Sequence, residues 1–100
     1  MSDFMQGLDR RWRLERDPDR LTCELRFESF SEAFGFMTQV ALLAEKLDHH
    51  PDWHNAYSRV VLSLRTHDAG GVTSRDAAFA RRVDQILARY PPGSVGDSVS

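Results

Sequence analysis

The sequence predicts an α+β domain: a four-stranded antiparallel sheet with helices packed on one face. Three observations lead there. Two pairs of short alternating apolar and polar runs read as hairpins, each pair is followed by a run of helical periodicity, and each helical run opens on a capping sequence. Hairpins separated by helices, in the order strand, strand, helix, strand, strand, helix, indicate an antiparallel sheet with helices on one face.

Trp12 and Leu14 alternate with Arg11, Arg13 and Glu15, so the first strand has one buried face. Asp17, Pro18 and Asp19 supply the turn, because proline presets φ and aspartate bonds to turn backbone. The second strand puts Leu21, Cys23, Leu25 and Phe27 on one side and Thr22, Glu24, Arg26 and Glu28 on the other. Ser29 and Glu32 form a capping-box sequence for a helix running to about Asp48. That helix carries one apolar stripe through Phe30, Phe34, Met37, Ala41, Ala44 and Leu47 and a second through Phe36, Val40 and Leu43. Two apolar sides exceed what one small sheet covers, so part of the 29–48 helix is expected to pack against a second copy of the chain, with Phe36 and Leu43 in that interface.

Pro51 disfavours helical backbone at His50 and places the His49-His50 pair at the helix exit. Trp53, Asn55 and Tyr57 alternate with His54 and Ala56 as a third strand, Ser58-Arg59 is a tight connection, and Val60, Leu62 and Leu64 form the buried side of a fourth. Asp68-Ala69-Gly70-Gly71 is a turn. Thr73 and Asp76 form a second capping box, and Phe79, Ala80, Val83, Ile86, Leu87 and Tyr90 line a helix that stops before Pro91-Pro92. Phe4, Met5 and Leu8 at helical spacing predict a short lead-in helix, the domain core spans about residues 12–90, and 93–100 reads as a disordered tail of a single 1–100 domain.

With 100 residues, 41% apolar and 28% charged, the chain has the make-up of one globular domain. A net charge of −2 with dispersed arginines gives no footprint for nucleic acid. The single cysteine, Cys23, excludes an internal disulfide and reads as a small buried hydrophobe. No leader pattern and no membrane-spanning apolar run is present, so a cytoplasmic location is expected.

Chemistry points to the histidines. His49 and His50 end a helix, and His67 ends a strand beside Asp68; if those two exits adjoin, three imidazoles share one cleft, with Trp53 as an aromatic wall. Imidazole titrates nearest neutrality, so such a cluster suits proton transfer in both directions. The bland reading, histidines as solvated helix ends interacting with the helix dipole, suits any one of them better than all three. Metal binding by His49, His50, His54 and His67 is disfavoured, because Pro51 breaks the helix that would align His50 with His54 and no zinc-site spacing is present. No serine sits in a nucleophile elbow and no glycine-rich loop resembles a phosphate cradle.

Glu45, His49-His50-Pro51, Tyr57, His67 and Asp76, at the spacing they have here, resemble the signature of the pterin-4a-carbinolamine dehydratases. The likeness extends through Phe34-Gly35-Phe36-Met37, Val40-Ala41, Ala44 to Asp48, Pro51-Asp52-Trp53, Asn55 and Thr66-His67-Asp68, about residues 12 to 88. The resemblance implies dehydration of 4a-hydroxytetrahydropterin to quinonoid dihydropterin without a cofactor or metal, in recycling the pterin of aromatic amino acid hydroxylases. It implies His49, His50 and His67 as active-site residues, His49 and His67 as the acid/base groups and His50 chiefly as a substrate holder, with Glu45, Asp48, Trp53 and Thr66 near the pterin. It further implies dimers that pair into tetramers. The alternative the family offers is a non-catalytic module, since animal members also act as dimerisation cofactors for a homeodomain transcription factor; a third reading keeps the pocket for a different pterin. Arg65 departs from the family, whose members often carry a small polar residue there, and reads by itself as a solvated strand-end arginine or as a cation that alters substrate preference.

Overall fold

Alternation of side chains along four strands builds the layer on which everything else rests. In the computed structural model, which describes residues 5–97, the strands are β1 (Trp12–Glu15), β2 (Arg20–Arg26), β3 (Asp52–Ala56) and β4 (Arg59–Leu64). They form an antiparallel sheet in the order β1-β2-β4-β3. Register aligns the apolar positions across the sheet: Leu21 pairs with Leu64, Cys23 with Leu62 and Leu25 with Val60. All six are buried. The same register places Thr22 opposite Ser63 and Glu24 opposite Val61 on the other face, where the Arg59 guanidinium also donates to Glu24 at 3.1 Å. A one-residue slip would turn every buried side chain to the opposite face, so the pattern excludes odd-numbered slips.

The helices α1 (Phe30–Leu47) and α2 (Ser74–Leu87) complete the α+β architecture. α1 directs Ala33, Phe36, Val40, Leu43 and Ala44 into the core, and α2 directs Ala77, Phe79, Ala80, Val83 and Leu87 there. Phe27 joins the layers, its ring centroid 5.0 Å from that of Phe36 and 5.6 Å from that of Tyr90. Phe36 has no exposed surface, so Phe36→Ala is expected to lower unfolding free energy by about 3–5 kcal/mol, read from urea denaturation.

Four sequence expectations are corrected. Phe36 and Leu43 belong to the protomer's own core, not to an intersubunit face; the apolar side chains α1 leaves exposed are Phe30, Phe34 and Leu42. The core needs one side of the helix, and the 100° advance per residue carries Phe36, Val40 and Leu43 onto it while turning Phe30 and Phe34 away. The lead-in helix is not formed: Phe4 lies outside the described residues, and Met5 to Leu8 make one turn closed by Leu8 N–H donating to the Met5 carbonyl at 3.1 Å. Gly7 takes the left-handed region there (φ 83°), and Asp9 N–H is held by the Asp84 carboxylate at 2.9 Å, so the chain departs from a helical path. The β3-β4 turn falls on Tyr57-Ser58, one residue earlier than expected, with Tyr57 at φ 56°. Within the segment read as a disordered tail, β5 (Gly96–Asp97) pairs with Leu25 and Arg26 of β2; residues 98–100 lie outside the described residues.

Asp84 anchors the start of the chain to α2. It accepts from Trp12 Nε1 at 2.8 Å as well as from Asp9 N–H, and burial holds its carboxyl above the ordinary carboxylate range against those two bonds. A carboxyl that binds its proton more tightly folded than unfolded makes stability fall as pH rises from the ordinary carboxylate pKa through the elevated one. Asp84→Asn is therefore expected to remove that component from urea midpoints measured between about pH 3 and 7. An unchanged profile would place the pH dependence elsewhere.

Candidate active site

Two chain reversals bring the site together. α1 stops at Asp48, which takes a left-handed conformation (φ 51°, ψ 47°) and turns its N–H back to the carbonyls of Ala44 and Glu45. Aspartate tolerates this region better than most residues. The turn sends consecutive histidines to different environments: His49 is buried, and His50 is exposed. His49 N–H is itself held by the Ala44 carbonyl at 3.1 Å, which fixes where its ring starts.

The second reversal follows β4. Thr66 and Gly71 form an isolated bridge, with Thr66 N–H donating to the Gly71 carbonyl at 2.7 Å, and the loop between them contains the 3-10 turn His67–Ala69. Gly70 sits at φ 70°, a left-handed position that a β-branched side chain would strain. α2 starts immediately beyond, with Thr73 as its N-cap.

Asp76 joins the two reversals. Its side chain has no exposed surface, yet both oxygens are engaged. Oδ2 accepts from Thr73 N–H at 2.9 Å, completing the capping box, and from Thr66 Oγ1 at 2.9 Å; Oδ1 faces His49 Nε2 at 2.7 Å. A carboxylate accepts only, so Nε2 carries the proton in this pair. Thr73 Oγ1 lies 2.7 Å from Thr66 Oγ1 and accepts from Arg75 N–H at 3.2 Å. With Thr66 donating to Asp76, Thr73 donates to Thr66, and the chain of bonds is satisfied throughout. Phe79 meets the His49 ring edge-on at 5.9 Å between centroids. The pair fixes the plane of the imidazole and directs its Nε2 proton to Asp76, so Nδ1 is the nitrogen left to exchange a proton.

A cleft of about 390 Å³ opens at this junction, lined by Asp48, His49, His50, Pro51, Asp52, Arg65, Thr66, Asp68 and Arg75. Its volume falls in the lower part of the roughly 300–1,000 Å³ range of small-molecule sites. Arg75 closes one side, its Nη2 donating to the Asp48 carbonyl at 2.9 Å. His50 Nε2 lies 2.9 Å from Glu45 Oε2 in an exposed pair, so one turn of α1 steadies the second imidazole.

The sequence-derived residues therefore separate into groups. His49, His50, Asp48 and Thr66 all line the cleft. Glu45 stands behind His50, outside the lining, and Trp53 packs half-buried against the core opposite Leu62 instead of forming a wall. The backbone of His67 lies between Thr66 and Asp68, both of which line the cleft, and its side chain lies outside what the structure describes. His54, on β3, is exposed and takes no part. Asp76 was legible only as a helix cap and as the last residue of the signature; burial of its carboxylate against His49 was not. No helix among the described residues is long and apolar enough to cross a membrane.

An α+β domain whose paired strands and helices enclose a histidine-carboxylate cleft at one helix exit defines the structural class. The family model for pterin 4 alpha carbinolamine dehydratase matches residues 1–86, and the chain belongs to that family. It is 52% identical over 79 residues to a protein of Afipia carboxidovorans, covering 79% of each chain, and 46% identical over 90 residues to one of Burkholderia cenocepacia, covering 90% of this chain and 87% of the other. Both bear the name "Putative pterin-4-alpha-carbinolamine dehydratase". A crystal structure titled transcriptional coactivator/pterin dehydratase from Brucella melitensis superimposes with a TM-score of 0.78 at 47% identity, covering 83% of this chain and 87% of that one. A pterin dehydratase-like protein described as a RuBisCO assembly factor in the alpha-carboxysome gives 0.68 at 25% identity, covering 79% and 92%.

Proposed function

We propose that this protein is a cytoplasmic hydro-lyase that dehydrates 4a-hydroxytetrahydropterin to quinonoid dihydropterin in tetrahydropterin recycling. The observation that carries this reading is the His49-Asp76 pair, 2.7 Å apart at the wall of a ring-sized cleft. Family membership supplies the substrate class.

The reaction requires two proton movements. The C4a hydroxyl leaves as water once it gains a proton, and the electron pair that expels it comes from N5 as the N5 proton is lost. One proton is taken and one given, so the sum is loss of water alone. His49, with Nε2–H engaged by Asp76, offers Nδ1 as a base, and the imidazolium it forms is stabilised by the same carboxylate. His67 is assigned the complementary acid/base role at the leaving hydroxyl, and His50, steadied by Glu45, holds the substrate. Asp48 and Thr66 border the ring site, Thr66 through its bond to Asp76. Trp53 contributes from the strand behind as support. No step needs a cofactor or metal, so a chelator is expected to leave the rate unchanged.

The test is a dehydration assay on freshly generated 4a-hydroxytetrahydropterin with wild type, His50→Ala and His67→Ala. Acceleration by wild type with a loss of about 10²-fold or more in His67→Ala is expected, and a smaller loss, chiefly in KM, for His50→Ala. A folded wild type that gives no acceleration would retire the enzyme reading.

The exposed Phe30, Phe34 and Leu42 favour a second property, assembly through α1. Phe30 and Phe34 pack ring to ring at 5.7 Å and stand open to solvent, as a homodimer or homotetramer face would in an isolated protomer. The same face would serve the alternative reading, a non-catalytic module that presents α1 to a protein partner. Phe34→Glu with Leu42→Glu is expected to lower the sedimentation coefficient to that of a smaller species; an unchanged assembly would exclude α1.

A further inference from the structure

Arg65, which the sequence alone reads as a strand-end cation, stands in the cleft. It follows the last residue of β4, immediately before Thr66, and lines the same cavity as His49 and His50. Its Nε is buried without a hydrogen-bond partner, and no ion pair among the described residues includes it. A buried donor on a permanent charge is expensive to leave unmatched, since its lost hydration is returned by nothing in the protein. The neighbouring cation is differently placed: Arg75 already donates to the Asp48 carbonyl.

The shape of the missing partner follows from the donor. The two terminal Nη groups of a guanidinium present parallel N–H groups, which two oxygens of a carboxylate or phosphate match and a single hydroxyl does not. Asp48, Asp52 and Asp68 line the same cleft and repel an anion from the rest of it. A ligand with one negative end is therefore received in one orientation, its charge at Arg65 and its neutral body elsewhere along the cleft.

We infer that Arg65 selects a tetrahydropterin whose 6-substituent ends in an anionic group, a phosphate or a carboxylate, and binds that group through the end of its guanidinium that borders the cleft. This assignment rests on the dehydratase reading for the ring and adds the class of side chain to it. It makes Arg65 a specificity-determining residue.

The experiment uses 4a-hydroxy derivatives of three tetrahydropterins that share the ring and differ at position 6: a methyl group, a phosphate monoester, and a carboxylate. Wild type is expected to favour at least one anionic substrate over the methyl compound in kcat/KM, and the two anionic arms identify which. In Arg65→Gln that ratio is expected to fall at least about tenfold, the loss residing in KM, with partial recovery in Arg65→Lys, which keeps charge without the fork. A ratio unchanged in Arg65→Gln, or a wild type that prefers the methyl compound, would overturn the assignment. If wild type turns over none of the three, the dehydratase reading fails separately, and equilibrium binding of the corresponding 7,8-dihydropterins decides the matter. Tighter anionic binding lost in Arg65→Gln upholds the role of Arg65, and equal binding of charged and neutral compounds refutes it.

Discussion

Replacing His49 with alanine is expected to lower kcat for dehydration by about 10²- to 10⁴-fold, the range a positioned general acid or base supplies. The ring is buried, meets Phe79 edge-on, and is fixed through Nε2 to a carboxylate with no solvent exposure. Its contribution is thus directed through the nitrogen that remains. His49→Gln fills part of the volume and retains a hydrogen bond to Asp76 but cannot accept and release a proton near neutrality. Both variants should therefore be similarly slow even where His49→Gln folds better. A His49→Gln enzyme within a few-fold of wild type would remove His49 from the proton path.

The second large effect is expected at Asp76, which carries two duties. Asp76→Ala leaves Thr73 N–H, the Thr66 hydroxyl and the His49 ring without their shared acceptor, all of them at least partly buried. Loss of a buried, multiply bonded carboxylate costs about 3–5 kcal/mol, and the helix cap goes with it. Asp76→Asn separates the duties. Its oxygen can still accept from Thr66 or Thr73, so folding should be largely kept, but its amide cannot stabilise an imidazolium. Asp76→Asn is expected to lose about 10²-fold or more in kcat, with KM changed little and the pH–rate profile displaced. A stability loss with full kcat in the surviving protein would show that Asp76 is a cap and nothing more.

How much of this was legible in the chain varies with the range of the interaction. Alternation in Leu21-Cys23-Leu25 and Val60-Leu62-Leu64 is local and marks the strands and their buried faces; it excludes odd slips between them, while the choice of partner and offset is made by the tertiary pairing. The Thr73-Asp76 box is local too and appears in full. The Ser29-Glu32 box is represented by its serine half, with Ser29 Oγ accepting from Glu32 N–H at 3.1 Å. Which side of α1 faces inward was not legible, since both sides are apolar and the choice lies with the sheet below; that is why Phe36 and Leu43 were read as an interface. Gly7 and the distant Asp84 jointly unmade the lead-in helix: Gly7 sits inside the window but carries no side chain for apolar spacing to register, and Asp84 lies far outside it.

The site divides in the same way. The pairing of His49 and His50 with a helix end could be read from Pro51; of the three imidazoles expected in one cleft, the described lining contains these two. The partner of His49 could not, because Asp76 lies 27 residues away and its local role as a cap already accounted for it. Trp53 looked like a cleft wall for want of knowing that β3 pairs it against Leu62. Arg65 looked like an ordinary strand-end cation, and only the burial of its Nε sets it apart.

The central claim is that a pterin ring occupies the cleft between His49 and His50. Its most direct measurement is the ¹⁵N resonances of the histidine side chains, followed while a 7,8-dihydropterin is titrated into the protein. Free His49 is expected in the Nε2–H tautomer, with His49 and His50 shifting in proportion to bound ligand and the exposed His54 remaining fixed. Saturable binding that leaves the His49 and His50 rings unmoved would contradict it.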